Sequence, residues 1–187
     1  MREKKTFSIY KIAFIGVMAA VVCVVTFFRF PFLGSKVHFA NAMCLLSGLL
    51  FGPVGGGLAA GLGSAIYDAA FGGYDVLQSM ITFVSKFLMA FVCAVIARTN
   101  RAEKAGKGRL VLGVVVGSLT YVALYMLKSF VFKHWVDGIP IEGMWLVMSG
   151  KLIPSLINAA FGIAASIVLY AAIAPALKKA GLLKKLQ

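Results

Sequence analysis

A carboxylate and two ammonium groups stand inside runs of residues that otherwise suit hydrocarbon: Asp68, Lys86 and Lys151. A charge there is costly unless it is paired or hydrated, so each marks a functional site by default. Asp68 and Lys86 are the candidate pair. They are read either as a structural ion pair that fixes helix packing or as groups facing a solvated ligand cavity. Asn41 and Asn158 add amides in apolar runs, each needing partners for its donors and acceptor. They suit helix-to-helix hydrogen bonding or polar recognition of a small molecule. Asn158 follows Pro154 by four residues, where the missing N–H leaves a backbone carbonyl without its usual donor. His38, Tyr74 and Trp135 stand near the ends of apolar runs. His38 fits an interfacial position or a ligand contact. Trp135 fits an aromatic belt or a ring stacked on a flat ligand.

These residues do not assemble a known catalytic signature. GxxxxGK[ST], HExxH and GxSxG are all missing, so no catalytic residue is assigned and no ATP hydrolysis by this chain alone is expected. Gly61-Leu-Gly63-Ser64 hints at an intramembrane serine protease, but His38 and His134 sit at the edges of the runs, away from Ser64. Cys23, Cys44 and Cys93 lie in apolar runs without CxxC spacing, which points to neither a metal site nor a disulfide framework. No cofactor is implied.

The positioning elements are membrane helices. Of 187 residues, 61% are hydrophobic and 13% charged, against about 25% charged in soluble domains. Too few charges remain to build a water-facing surface. With about 20 apolar residues needed per crossing, the expected spans are 9–28, 38–51, 54–71, 76–97, 110–132 and 144–175, forming one all-α membrane domain of six helices. The second run is short, and Gly52-Pro53 ends it. The run at 12–28 is long for a signal peptide and lacks a small-residue cleavage site, so a retained first helix is expected. Gly57, Gly61 and Ala65 give the third span a small-residue face for close packing.

The formal charge of +13 is clustered. Arg2, Lys4, Lys5 and Lys11, then Arg98, Arg101, Lys104, Lys107 and Arg109, then Lys178, Lys179, Lys184 and Lys185 hold 13 of the 19 basic residues. An even number of spans separates the clusters. This pattern places both termini and the loop at 98–109 in the cytoplasm, with contacts to anionic membrane lipid. It argues against nucleic acid as a partner. On the first helix, Gly16 and Ala20 at i, i+4, flanked by Ala13 and Ala19, form a small-residue patch on which a partner protein can dock.

The order of features resembles the substrate-binding S component of energy-coupling factor (ECF) transporters. The resemblance is carried by His38-Phe-Ala-Asn41, Leu49-Leu-Phe-Gly52-Pro53, Gly61-Leu-Gly63-Ser64-Ala-Ile-Tyr67-Asp68, Thr82-Phe-Val-Ser-Lys86 and Lys151-Leu-Ile-Pro154 followed by Asn158. It implies capture of a vitamin or vitamin precursor near the outer face of the plasma membrane. It also implies delivery through a transmembrane coupling protein and two cytoplasmic ATPase subunits, which explains the absence of a P-loop. Gly16 and Ala20 then match the family's alanine-rich docking motif, with glycine in place of its first alanine. The competing reading is a self-contained small secondary transporter or channel. That reading calls for internal repeats, and residues 1–97 and 98–187 show no convincing similarity.

Overall fold

The computed structural model describes residues 9–32, 35–98 and 106–183. Its order is α1 (Ile9–Phe27), β1 (Arg29–Phe32), β2 (Ser35–His38), α2 (Ala40–Ala70), α3 (Val76–Arg98), α4 (Lys107–Val131) and α5 (Ile141–Lys179). A π-helical turn, Phe132–Val136, extends α4. These five helices are long and apolar enough to cross a membrane.

The second of them does not run straight. Gly52 has φ 82° and ψ −176°, a backbone region that essentially only glycine enters. Pro53 follows, where its fixed φ suits the start of a helix. In an unbroken helix residues nine apart are separated by about 13 Å. Here Ser47 Oγ donates to the carbonyl of Gly56 at 2.9 Å. Cys44 Sγ and Ser64 Oγ, twenty residues apart, lie 3.8 Å from each other. The chain therefore reverses at Gly52, and α2 is two antiparallel arms, 40–51 and 53–70.

Glycine lets these arms and their neighbours approach to backbone contact. A Cβ at Gly56 would lie 2.5 Å from the Cα of Gly48, one at Gly48 would lie 2.4 Å from the Ala90 carbonyl oxygen, and one at Gly63 would lie 2.3 Å from that of Ala19. Gly57 and Gly61 face the rings of Phe87 and Phe83 on α3. The small-residue face expected from the sequence is thus packed against aromatic side chains. Around it the buried core includes Val22, Cys44, Leu45, Leu49, Met89, Cys93 and Val114. Between helices in lipid such close packing supplies the association that the hydrophobic effect supplies in water.

One short extended element accompanies the helices of this all-α bundle. Arg29–Phe32 and Ser35–His38 form an antiparallel ribbon, with Arg29 opposite His38 and Phe32 opposite Ser35. Pro31 lacks a ladder N–H, and a two-stranded ribbon, which is all edge, tolerates that. The contacts of Gly55 with Lys11 and Ile15, and of Gly63 with Ala19 and Val22, set α1 parallel to the second arm of α2. The ribbon, the 71–75 turn and the 132–140 connection consequently share one end of the bundle. The Gly52 reversal, the end of α3 and the start of α4 share the other.

Candidate functional site

At the ribbon end the helices part around a cavity of about 340 Å³, a volume within the range of small-molecule sites. The late part of α1 contributes Thr26. The two arms of α2 contribute Asn41 from one side and Ser64, Tyr67 and Asp68 from the other. The early part of α3 supplies Thr82, Ser85 and Lys86. Tyr121, Tyr125 and Lys128 come from α4, and Lys151, Ser155 and Asn158 from α5, while Tyr74 stands in the turn before α3.

Lys86 is 3% exposed. Its Nζ donates to Asn41 Oδ1 and lies 3.6 Å from the centroid of the Tyr121 ring. Both partners suit a cation: a carbonyl dipole turned toward it and the negative face of a π-system. Lys151 donates to Ser129 Oγ at 3.4 Å and sits 5.8 Å from the Tyr125 ring centre. Lys128 stands 5.5 Å from the ring centre of Tyr74 and 5.9 Å from that of Phe132. Tyr121 and Tyr125, one turn apart, stack with centroids 6.3 Å apart. One wall is thus aromatic and cationic together, able to take a flat ring and a polar substituent.

Six of the eight side chains singled out in the sequence, Asp68, Lys86, Asn41, Tyr74, Lys151 and Asn158, line this one cavity. The candidate Asp68–Lys86 ion pair is not formed; an ion pair joins Lys133 to Asp137 on the 132–140 connection. The early part of α3 brings Lys86 to Asn41 on the first arm, while Asp68 on the second arm lies within electrostatic reach of Lys128 instead. Trp135 is 77% exposed and does not line the cavity. Its neighbour His134 makes a 2.9 Å hydrogen bond between Nδ1 and the carbonyl of Ile139. The side chain of His38 lies outside the described residues.

Lys128, Tyr121 and Tyr125 were not singled out in the sequence. Their signal was available: tyrosines at i, i+4 and a lysine one turn beyond Leu124 put an amphipathic stripe on an otherwise apolar helix. Among the described residues no cluster of His, Cys, Asp and Glu is suited to hold a metal ion.

On α1, Ala13, Gly16 and Ala20 face away from the bundle, while Ile15, Met18, Ala19 and Val22 are buried. A Cβ at Gly16 would meet nothing within 4 Å.

The solved structure of the S component of a bacterial ECF transporter matches with TM-score 0.68 and 20% identity, covering 90% of this chain and 98% of that one. At that identity the likeness is one of fold. A protein of Pyrococcus woesei, described only as an uncharacterized protein in the gap 3′ region, is 30% identical over 114 residues, which is 60% of this chain and 72% of that protein. The family model of the ECF-type riboflavin transporter S component matches residues 6–175. With its apolar helices and its cavity between them, the chain is a multi-pass membrane protein and belongs to the S-component family of ECF transporters.

Proposed function

We propose that this chain is the substrate-capture subunit of an ATP-driven micronutrient importer, and that the cavity at the ribbon end takes one vitamin or vitamin precursor. The observation that carries this reading is the arrangement around Lys86. A buried ammonium, an amide and a tyrosine face meet on one wall of a cavity of about 340 Å³. A flat heterocycle with hydrogen-bonding edges fits such a wall. Riboflavin, named in the family's description, is the first compound to test.

The reversal at Gly52 supports six passes through the bundle, the first arm of α2 making a short one. With an even number of passes, the basic segments at both ends of the chain and between α3 and α4 share the cytoplasmic side. The cavity then opens toward the outer face. Delivery falls to a transmembrane coupling protein and two cytoplasmic ATPase subunits, and the outward patch of Ala13, Gly16 and Ala20 is the surface on which the coupling protein docks. Its small side chains permit close helix approach.

The test is mass spectrometry of small molecules released from the detergent-purified protein, paired with titration of riboflavin followed by its own fluorescence. One compound retained at near-equal stoichiometry, or saturable binding of riboflavin, is the expected result. Uptake into liposomes by this chain alone, without ATPase partners, would instead favour a self-contained transporter.

A further inference from the structure

Charge is the property of the cavity wall that the helices leave unbalanced. Lys86, Lys128 and Lys151 line it against a single carboxylate, Asp68, a formal charge of three minus one, or +2. The nearby acids are engaged elsewhere. Asp75 Oδ1 accepts from the Gln78 N–H at 2.6 Å at the start of α3, and Asp137 is paired with Lys133. Both reach the cavity lysines only through space, Asp75 acting on Lys128 and Asp137 on Lys151. None of the three lysines has a carboxylate within ion-pair distance among the described residues. Their partners are an amide oxygen, a hydroxyl and aromatic faces. Such partners hold a cation in place without neutralising it. Three ammonium groups around one cavity call for a counter-charge, and Asp68 is the one lining carboxylate that supplies any of it.

We infer that the ligand of this cavity is a flat heterocycle bearing an anionic group, a carboxylate or a phosphate, whose charge is met by Lys86, Lys128 and Lys151. The inference rests on the capture-subunit reading above and specifies its substrate class. The ring stacks along Tyr121 and Tyr125, and the amides and hydroxyls of the opposite walls take its neutral edges. A phosphate monoester, at about −1.5 to −2 near neutral pH, matches the +2 wall more closely than a carboxylate does.

The experiment is calorimetric titration of the full chain with matched pairs of compounds that differ in the anionic group, all at one ionic strength. Riboflavin against riboflavin 5′-phosphate and pyridoxal against pyridoxal 5′-phosphate test the phosphate. Nicotinamide against nicotinate tests the carboxylate. In the pair that binds, the anionic member is expected to bind at least tenfold more tightly. Lys128→Met is expected to bring that ratio toward one and Lys128→Arg to retain it, with size-exclusion profiles showing both variants folded. A neutral member that binds as tightly as its anionic partner, in every pair that binds, overturns the charge inference and leaves the capture-subunit reading standing. Where no pair binds, a compound that co-purifies decides by its own charge: an anion supports the inference and a neutral or cationic compound overturns it. A chain that neither retains nor binds any compound takes down both readings.

Discussion

The two ends of α2 are built on opposite principles. Toward Gly52 the arms touch through their backbones, with Gly56 against Gly48 and the Ser47 hydroxyl on the Gly56 carbonyl. Farther out, side chains meet, as Cys44 Sγ and Ser64 Oγ do at 3.8 Å. Farther still, Asn41 and Asp68 face a cavity. The spacing therefore opens from backbone contact, through side-chain contact, to a space for a solute. Glycine occupies the positions where the backbones touch, and polar residues appear where the arms part. Packing at the closed end lets the open end carry polar groups around a cavity.

The closed end is where an added side chain should matter most. Gly48→Val there, and Gly63→Val farther out where the second arm meets α1, would place a Cβ within 2.4 Å and 2.3 Å of the Ala90 and Ala19 carbonyl oxygens. Backbone cannot retreat as a flexible side chain does, so about 3 kcal/mol or more of stability is expected to be lost. Thermal-shift and size-exclusion measurements on purified protein should show a lower unfolding temperature by on the order of 10 °C, or aggregation. Gly16→Val, with nothing within 4 Å of its Cβ, is the matched control and should unfold with wild type. Equal stability of Gly48→Val and wild type would break the contrast between the two ends.

Gly52→Ala sharpens the same contrast at the reversal. Its backbone at φ 82° and ψ −176° is strained for any residue with a Cβ, by about 1–3 kcal/mol. A smaller fall in unfolding temperature than for Gly48→Val is expected, with ligand affinity affected only as folded protein is lost. An alanine variant as stable as wild type would mean that the reversal does not depend on this conformation.

Much of this division can be read in the sequence, and its limits have physical causes. The apolar runs, the breaks at Gly52-Pro53 and Gly72-Gly73, and the polar residues inside those runs follow from what hydrocarbon tolerates. Asn41, Asp68, Lys86, Lys151 and Asn158 stand out for that reason, and all five line one cavity. Which of them touch depends on helix neighbours, a property that spacing along the chain does not encode. Asp68 and Lys86 face the same cavity, yet Lys86 is held by Asn41 on the other arm of α2. Lys128 escaped notice because a lysine near a helix end ordinarily snorkels to the interface, and tyrosines in an apolar run ordinarily face lipid or its boundary. The ribbon strands, Arg29–Phe32 and Ser35–His38, are too short, and the first too rich in aromatic residues and proline, to give a clean period-two signal.

At the open end, substitutions are expected to weaken binding while leaving the fold largely in place. Lys86→Met keeps the length of the side chain and removes the ammonium that meets Asn41 and Tyr121. A charge-assisted contact of about 1.5–3 kcal/mol corresponds to a loss of roughly 10- to 100-fold in affinity. Calorimetry with the ligand identified by co-purification would measure it, and unfolding temperature would report stability separately. A large fall in stability without loss of affinity in the remaining folded protein would assign Lys86 to packing and blur the line between the two ends.

The smallest effect is expected just beyond the cavity, at Trp135. Its indole is 77% exposed on the 132–140 connection and does not line the cavity, while Lys128 and Tyr125, on α4 just before that connection, do. Trp135→Phe should therefore change ligand affinity by less than about twofold, well below the 1.4 kcal/mol of a tenfold change. A Trp145→Phe variant, 82% exposed in wild type, serves as a second exposed control. A tenfold loss for Trp135→Phe alone would mean that this connection folds over the cavity when ligand binds. The open end would then extend to the ring that the sequence singled out and that the helices leave outside.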